Sequence, residues 1–215
     1  MIRTRHGLEI PSSLEDWCDP ERMALVVYDM QVGICRQVAG SAAIVERVGQ
    51  ALEAARMAGM RVAFTRHLSL PQRWMGRVQL RMAMGWQRQT DPDAVQPWFL
   101  PDAEATQIVP DLRPREDEVV FDKITMSAFD STALSVALRD CDIRAVALCG
   151  IAMEIGIEPT ARQACDNGFV SVVLADACGC GDPQARERSL ATLGYVGDTL
   201  VTDTKAFCAA VRRAA

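Results

Sequence analysis

The chain has 215 residues, of which 49% are hydrophobic and 24% charged: enough apolar side chain for a sizeable core and too much for a disordered segment. A formal net charge of −5 argues against nucleic-acid binding, and no stretch approaches the roughly 18 continuous apolar residues of a membrane span. The opening MIRTRHGLEIPSS is too polar for a secretion signal, so a cytoplasmic protein is expected, with its eight cysteines reduced.

Residues 1–22 are polar, contain Pro11 and Pro20, and are expected to wrap the surface. The apolar run MALVVY then enters as a first strand, with Asp29 at its carboxyl end. Ser41 can cap a helix whose Ile44, Val45, Val48, Leu52 and Ala55 share one face, closed by Gly59. A second strand is expected over residues 61–65. Between Arg66 and Pro101 the pattern loosens into a segment rich in arginine and holding three of the four tryptophans, as lids and binding loops often do.

A short helical turn starts at Asp102, a third strand covers residues 118–121, and Lys123 follows at its exit. Asp130 or Ser131 caps a helix carrying Leu134, Val136, Ala137 and Leu138. Residues 145–149, AVALC, read as a strand covered on both faces and ended by Gly150. Helical spacing resumes at Ile155, Ile157, Thr160, Ala161 and Ala164, and Gly168 stands where a left-handed cap belongs. A fifth strand over 169–174, a helix over 182–193, a sixth strand over 199–201 and a helix over 203–213 complete the chain.

Strands alternating with helices at this spacing imply a doubly wound, three-layer α/β fold: a six-stranded parallel sheet with helices on both faces, as one domain over residues 1–215. Ligands of such sheets bind outside the strands' carboxyl ends, which is where Asp29, Lys123 and the turn 150–156 fall. A strand handing over to a helix at that turn also aims unpaired backbone N–H groups at the site. Taken singly, Asp29 fits a turn and Lys123 a solvated position; three distant segments meeting at one sheet edge assign them to a site.

Three ordered motifs carry a resemblance to the isochorismatase-like cysteine hydrolases. Residues 150–161 read GIAMEIGIEPTA against that family's G-φ-x-x-x-x-C-[VI]-x-x-T-A, with Gly156 at the position of the nucleophilic cysteine. Asp29 lies in VVYDMQ, similar to an apolar strand followed by D-x-Q, and Lys123 in KITMSAF, similar to K-x-x-x-S-A-F. The resemblance implies strand order 3-2-1-4-5-6, a non-proline cis peptide at Ile151–Ala152, assembly into dimers or tetramers, and no cofactor or metal. In the cysteine members the Asp takes the thiol proton and the Lys stabilises the resulting ion pair. Gly156 supplies no thiol. The chain therefore resembles the branch that carries glycine there and hydrolyses a vinyl ether, with an Asp as the general acid.

On this reading Asp29, Lys123 and Gly156 form the catalytic set, and Ile151, Ala152, Met153, His67, Arg73, Arg77 and Trp74 contact a small polar, anionic substrate. Arg73, Arg77 and Arg81 fit equally the solvated face of one helix, and the tryptophans fit core plugs. Hydrolysis of a carbon–nitrogen bond with another thiol, such as Cys35, as nucleophile is the alternative, as is a binding protein without turnover. A Gly156→Cys substitution is expected to place a reactive thiol beside Asp29 and Lys123.

Overall fold

The computed structural model describes residues 2–214, so the first residue of the expected amino-terminal wrap and the last residue of the chain lie outside it. A small antiparallel pair, β1 (Ile2–Arg3) and β2 (Glu9–Ile10), and a one-turn helix α1 (Leu14–Trp17) lead to β3 (Met23–Tyr28). Then come α2 (Val32–Cys35), α3 (Ser41–Met57), β4 (Arg61–His67), α4 (Arg77–Gln87) and β5 (Val119–Lys123). The second half holds α5 (Leu134–Asp140), β6 (Ala145–Ile151), α6 (Glu158–Asp166), β7 (Val170–Gly179), α7 (Pro183–Val196), β8 (Thr199–Thr202) and α8 (Thr204–Ala214).

Six of these strands form one parallel sheet in the order β5-β4-β3-β6-β7-β8. Numbered within the sheet that is 3-2-1-4-5-6, so chain direction across the sheet reverses between β3 and β6. Although all six residues of β3 are buried, they still alternate between two cores. Met23, Leu25 and Val27 pack towards Val48, Leu52 and Ala55 of α3 and Phe207 and Val211 of α8. Ala24, Val26 and Tyr28 pack towards Leu134 of α5, Ala161 and Ala164 of α6, and Leu193 of α7. The period of two in a strand thus builds both helical layers from one apolar run.

Several element ends differ from those expected. β6 does not stop at Gly150 but runs to Ile151, because Gly150 adopts φ +126° and lies against the backbone of Tyr28, where a Cβ would collide with the Tyr28 carbonyl. The chain then makes a π-helical turn, Met153–Ile157, before α6 begins. Lys123 is the last residue of β5 rather than a residue beyond it, paired in register with His67. Neither Asp130 nor Ser131 caps α5: Ser131 is left-handed and the helix starts three residues later, after Ala133. Ser41 is the first residue of α3, and left-handed Gly40 holds the cap position. The segment after β4 contains α4, which packs Leu80, Ala83 and Met84 on Met75 and Val95 as a small separate core. Among the described residues no helix is long and apolar enough to cross a membrane.

Candidate active site

Register alone brings the parts together: Tyr28 pairs with Gly150 and His67 with Lys123, so β3, β4, β5 and β6 end side by side. Directly after β3, Asp29 turns left-handed (φ +47°), a conformation its short polar side chain tolerates, and this tips its carboxylate into the sheet edge, 3% exposed. The Thr65 hydroxyl donates to Asp29 Oδ1 at 2.6 Å and accepts from the Asp29 N–H at 3.2 Å. The Lys123 ammonium donates to Oδ2 at 2.7 Å. Its side chain is completely buried, and its other protons go to the Tyr28 hydroxyl at 2.8 Å and the Thr125 carbonyl at 3.1 Å. All three donors of the ammonium are therefore satisfied, which is the condition for burying it.

The turn after β6 supplies the roof. The Ile151–Ala152 peptide is cis, and the Ala152 carbonyl accepts from the amides of Gly156 and Ile157 at 3.0 and 3.1 Å. Thr160 ties the turn to the segment after Lys123: its hydroxyl donates to the Gly156 carbonyl at 2.7 Å and accepts from the Ala128 N–H at 2.9 Å. The three motifs are thus joined by side chains that each motif contributes.

Gly156 itself leaves no room. A Cβ built there would overlap the hydroxyl and ring of Tyr28. That hydroxyl donates to the Met126 carbonyl while accepting from Lys123, whose ammonium sits 4.3 Å from the ring centroid. Burial first, and the adjacent Asp29 carboxylate second, push the phenol well above the ordinary tyrosine value, so Tyr28 keeps its proton at neutral pH.

Over this edge lies a cavity of about 250 Å³. Tyr28 and Asp29 form its floor together with Ile151 and Ala152, Gln37 and His67 contribute neutral polar groups, and Trp86, Trp98, Phe99, Ile34 and Ile155 are among its apolar walls. None of its lining residues is an arginine or a lysine. Arg77 is exposed and outside it because the face of α4 that turns towards the protein carries Leu80, Ala83 and Met84, and Arg73 and Trp74, the latter 75% exposed, lie outside it on the 3-10 turn before that helix. Met153 is fully buried in the core beneath, not at the cavity. Cys35 is likewise buried and not at the cavity, and burial pushes its thiol up to about 11, so it is no nucleophile.

Three features of the site escaped the reading of the sequence: Thr65 behind Asp29, and Tyr28 and the wall from α2 at the cavity. The only signal for Tyr28 was an aromatic side chain immediately before Asp29 in a run otherwise small and aliphatic.

His67 is held through its backbone. Gln31 accepts from its N–H at 2.7 Å and donates to its carbonyl at 3.0 Å, which gives the glutamine of the D-x-Q pattern a positioning task. The ring stands edge-on to Trp86 and Phe99, with centroids 6.2 and 6.0 Å away. Burial lowers the imidazole below its ordinary 6.5; the Asp29 carboxylate opposes this and the Lys123 ammonium reinforces it. A base whose folded value is depressed binds fewer protons folded than unfolded, so stability falls as pH drops below the unfolded value. His67→Gln should therefore flatten the decline in stability below pH 6.5, read as denaturation midpoints at pH 7.5 and 5.5. An unchanged decline would place that pH dependence elsewhere.

A doubly wound parallel sheet with a buried carboxylate–ammonium pair beneath a small cavity is the framework of an enzyme acting on small molecules. Residues 23–205 match the isochorismatase domain, and the chain belongs to that family of hydrolases. It is 27% identical to the ureidoacrylate amidohydrolase of Methylorubrum extorquens, over 90% of this chain and 87% of that one. Among solved structures it resembles a cysteine hydrolase from Pseudomonas syringae pv. phaseolicola at TM-score 0.76 and 25% identity, covering 92% of this chain and 95% of the other. An isochorismatase family protein from Burkholderia thailandensis is similar at TM-score 0.73 and 26% identity, with 89% and 96% covered.

Proposed function

We propose that this protein hydrolyses a small, uncharged and largely apolar molecule by direct attack of water, and that the bond it cleaves is an enol (vinyl) ether. The observation carrying this reading is the Tyr28 phenol in the space that a side chain at position 156 would need. With no nucleophile there, water must attack. An amide carbon demands a strong nucleophile, whereas an enol ether becomes an oxocarbenium once a proton reaches its terminal carbon, and water then suffices. Asp29, which rests as the carboxylate beside Lys123, takes up a proton from solvent as the substrate binds, delivers it to that carbon, and recovers one from the attacking water. Lys123, at 2.7 Å, holds the carboxylate in position between the two events.

The cavity walls set the substrate class. An anionic substrate was expected from the arginines spaced along residues 66–88, but a cavity that contains Asp29 and is lined by no cation favours a neutral one. Arg73→Ala and Arg77→Ala should accordingly leave KM within about twofold of wild type, since neither removes a group that meets the substrate. A large rise in KM for either would restore the anionic reading.

Amide hydrolysis is the second reading, favoured by the likeness to an amidohydrolase along nine-tenths of the chain. The two separate in D2O with neutral aromatic probes. Turnover of 1-methoxy-1-phenylethene should yield acetophenone with one deuterium in its methyl group; release of benzoate from benzamide in its place would select the amide reading.

A further inference from the structure

Tyr28 is a polar group at the reaction centre whose hydroxyl the catalytic pair leaves without a chemical task. A strand residue facing the α6 layer would serve the core as well with an aliphatic side chain, as Ala24 and Val26 do on the same face. Instead a phenol reaches across to the turn, lines the cavity beside Asp29, and fills the volume over Gly156. Lys123 donates to Tyr28 at 2.8 Å and to Asp29 at 2.7 Å, so a single ammonium links the two oxygens that face the cavity floor.

We propose that the Tyr28 hydroxyl is a catalytic residue, the proton shuttle of the second half of the reaction. This rests on the hydrolysis of an enol ether proposed above. Addition of water leaves a hemiketal, in which the carbon bears both a hydroxyl and the alkoxy group. Its collapse breaks the bond from carbon to alkoxy oxygen, turns the hydroxyl oxygen into a carbonyl, and moves one proton from the hydroxyl to the departing alcohol. Tyr28 gives its proton to the alkoxy oxygen, and the phenolate takes the proton of the hemiketal hydroxyl, so the side chain ends as it began. During the exchange the charge on the phenolate is held by the Lys123 ammonium.

The geometry supports the exchange at each point. The phenol is protonated at rest, so it has a proton to give. Its resting acceptor is the Met126 carbonyl, and Met126 lines the same cavity, so rotation about the C–O bond turns the proton towards a substrate. Its ring is fixed between the Lys123 ammonium and the turn at Gly156, which holds the oxygen in place while the proton moves.

Tyr28→Phe keeps the ring and removes only the hydroxyl. With 1-methoxy-1-phenylethene as the probe, kcat should fall on the order of 100-fold with KM little changed, the usual scale for loss of a general acid–base group. Replacement of Tyr28 by 3-fluorotyrosine, which preserves volume and hydroxyl while acidifying it, should change kcat and shift the alkaline limb of its pH profile downward. Unchanged kcat in both variants would make Tyr28 a volume filler and overturn the proposal, as would a loss confined to KM. A second readout stands apart from turnover, so that a failure of the enol-ether reading is told from a failure of this one: the infrared stretch of acetophenone bound to the protein. The carbonyl frequency should be lower in wild type than in Tyr28→Phe. Equal frequencies, or no binding at millimolar acetophenone, would also overturn it.

Discussion

Asp29→Asn should abolish turnover and at the same time lower stability, two effects with different causes. Loss of the proton-transferring group costs on the order of 10²- to 10⁴-fold in kcat. The stability loss follows from Lys123, whose side chain is wholly buried and would face an amide in place of its counter-ion. Breaking one half of a buried pair costs roughly 3–5 kcal/mol, which in a chain of this size lowers the melting temperature by on the order of 10 °C. Asp29→Asn combined with Lys123→Met separates the two, because removal of both charges should recover much of the stability and none of the activity. Near-wild-type turnover in Asp29→Asn would remove Asp29 from the chemistry. A double variant no more stable than the single one would show that Lys123 is not held mainly by this carboxylate.

Gly156→Cys should produce a destabilised protein and no reactive thiol, the reverse of what the motif alone suggests. Any Cβ at 156 meets the Tyr28 phenol, which is held by Lys123 on one side and the Met126 carbonyl on the other, so that making room breaks both hydrogen bonds. Forcing extra atoms into a filled site costs roughly 1–3 kcal/mol, and more where the neighbours cannot move. A double-mutant cycle with Tyr28→Ala tests this directly: in the alanine background the added cysteine should cost little, giving a large favourable coupling between the two positions. There the thiol would lie beside the Lys123 ammonium and should react with iodoacetamide at neutral pH faster than a free cysteine. If Gly156→Cys by itself were as stable as wild type and alkylated readily, the contact between Tyr28 and position 156 would be wrong.

Much of the architecture was legible because it depends on local pattern. Continuous apolar runs such as MALVVY and AVALC mark strands buried on both faces, and helical spacing in α3 and α6 marks the layers that bury them. Asp29 and Lys123 could be chosen as partners because strand ends converge on one edge of a parallel sheet whatever the intervening chain does. Where element ends were misplaced, the cause was a contact between strands in one case and a local turn in another. β6 continues through Gly150 because β3 lies alongside it there, and α5 starts late because left-handed Ser131 and the Thr132 hydroxyl, which accepts from the Leu134 N–H at 3.1 Å, shape the turn before it.

The nature of the site was decided in three dimensions. The arginines spaced along residues 66–88 looked like an anion anchor, and spacing alone could not say which face of α4 would turn inward; the small core around Val95 settles that, leaving Arg77 outside and Trp86 over the cavity, while Arg73 is exposed on the turn before the helix. Likewise the glycine at 156 announced a missing side chain and nothing about what replaced it. The sequence by itself determined the strand and helix layers, which follow from residue identity and periodicity along the chain, whereas the choice of Asp29 and Lys123 as partners and the significance of glycine at 156 came from the resemblance of three motifs to a known family. Only the tertiary structure decided that a tyrosine 128 residues earlier fills that space and that the cavity is apolar, because side-chain volume and charge are matched across strands that the chain brings together only when the sheet forms.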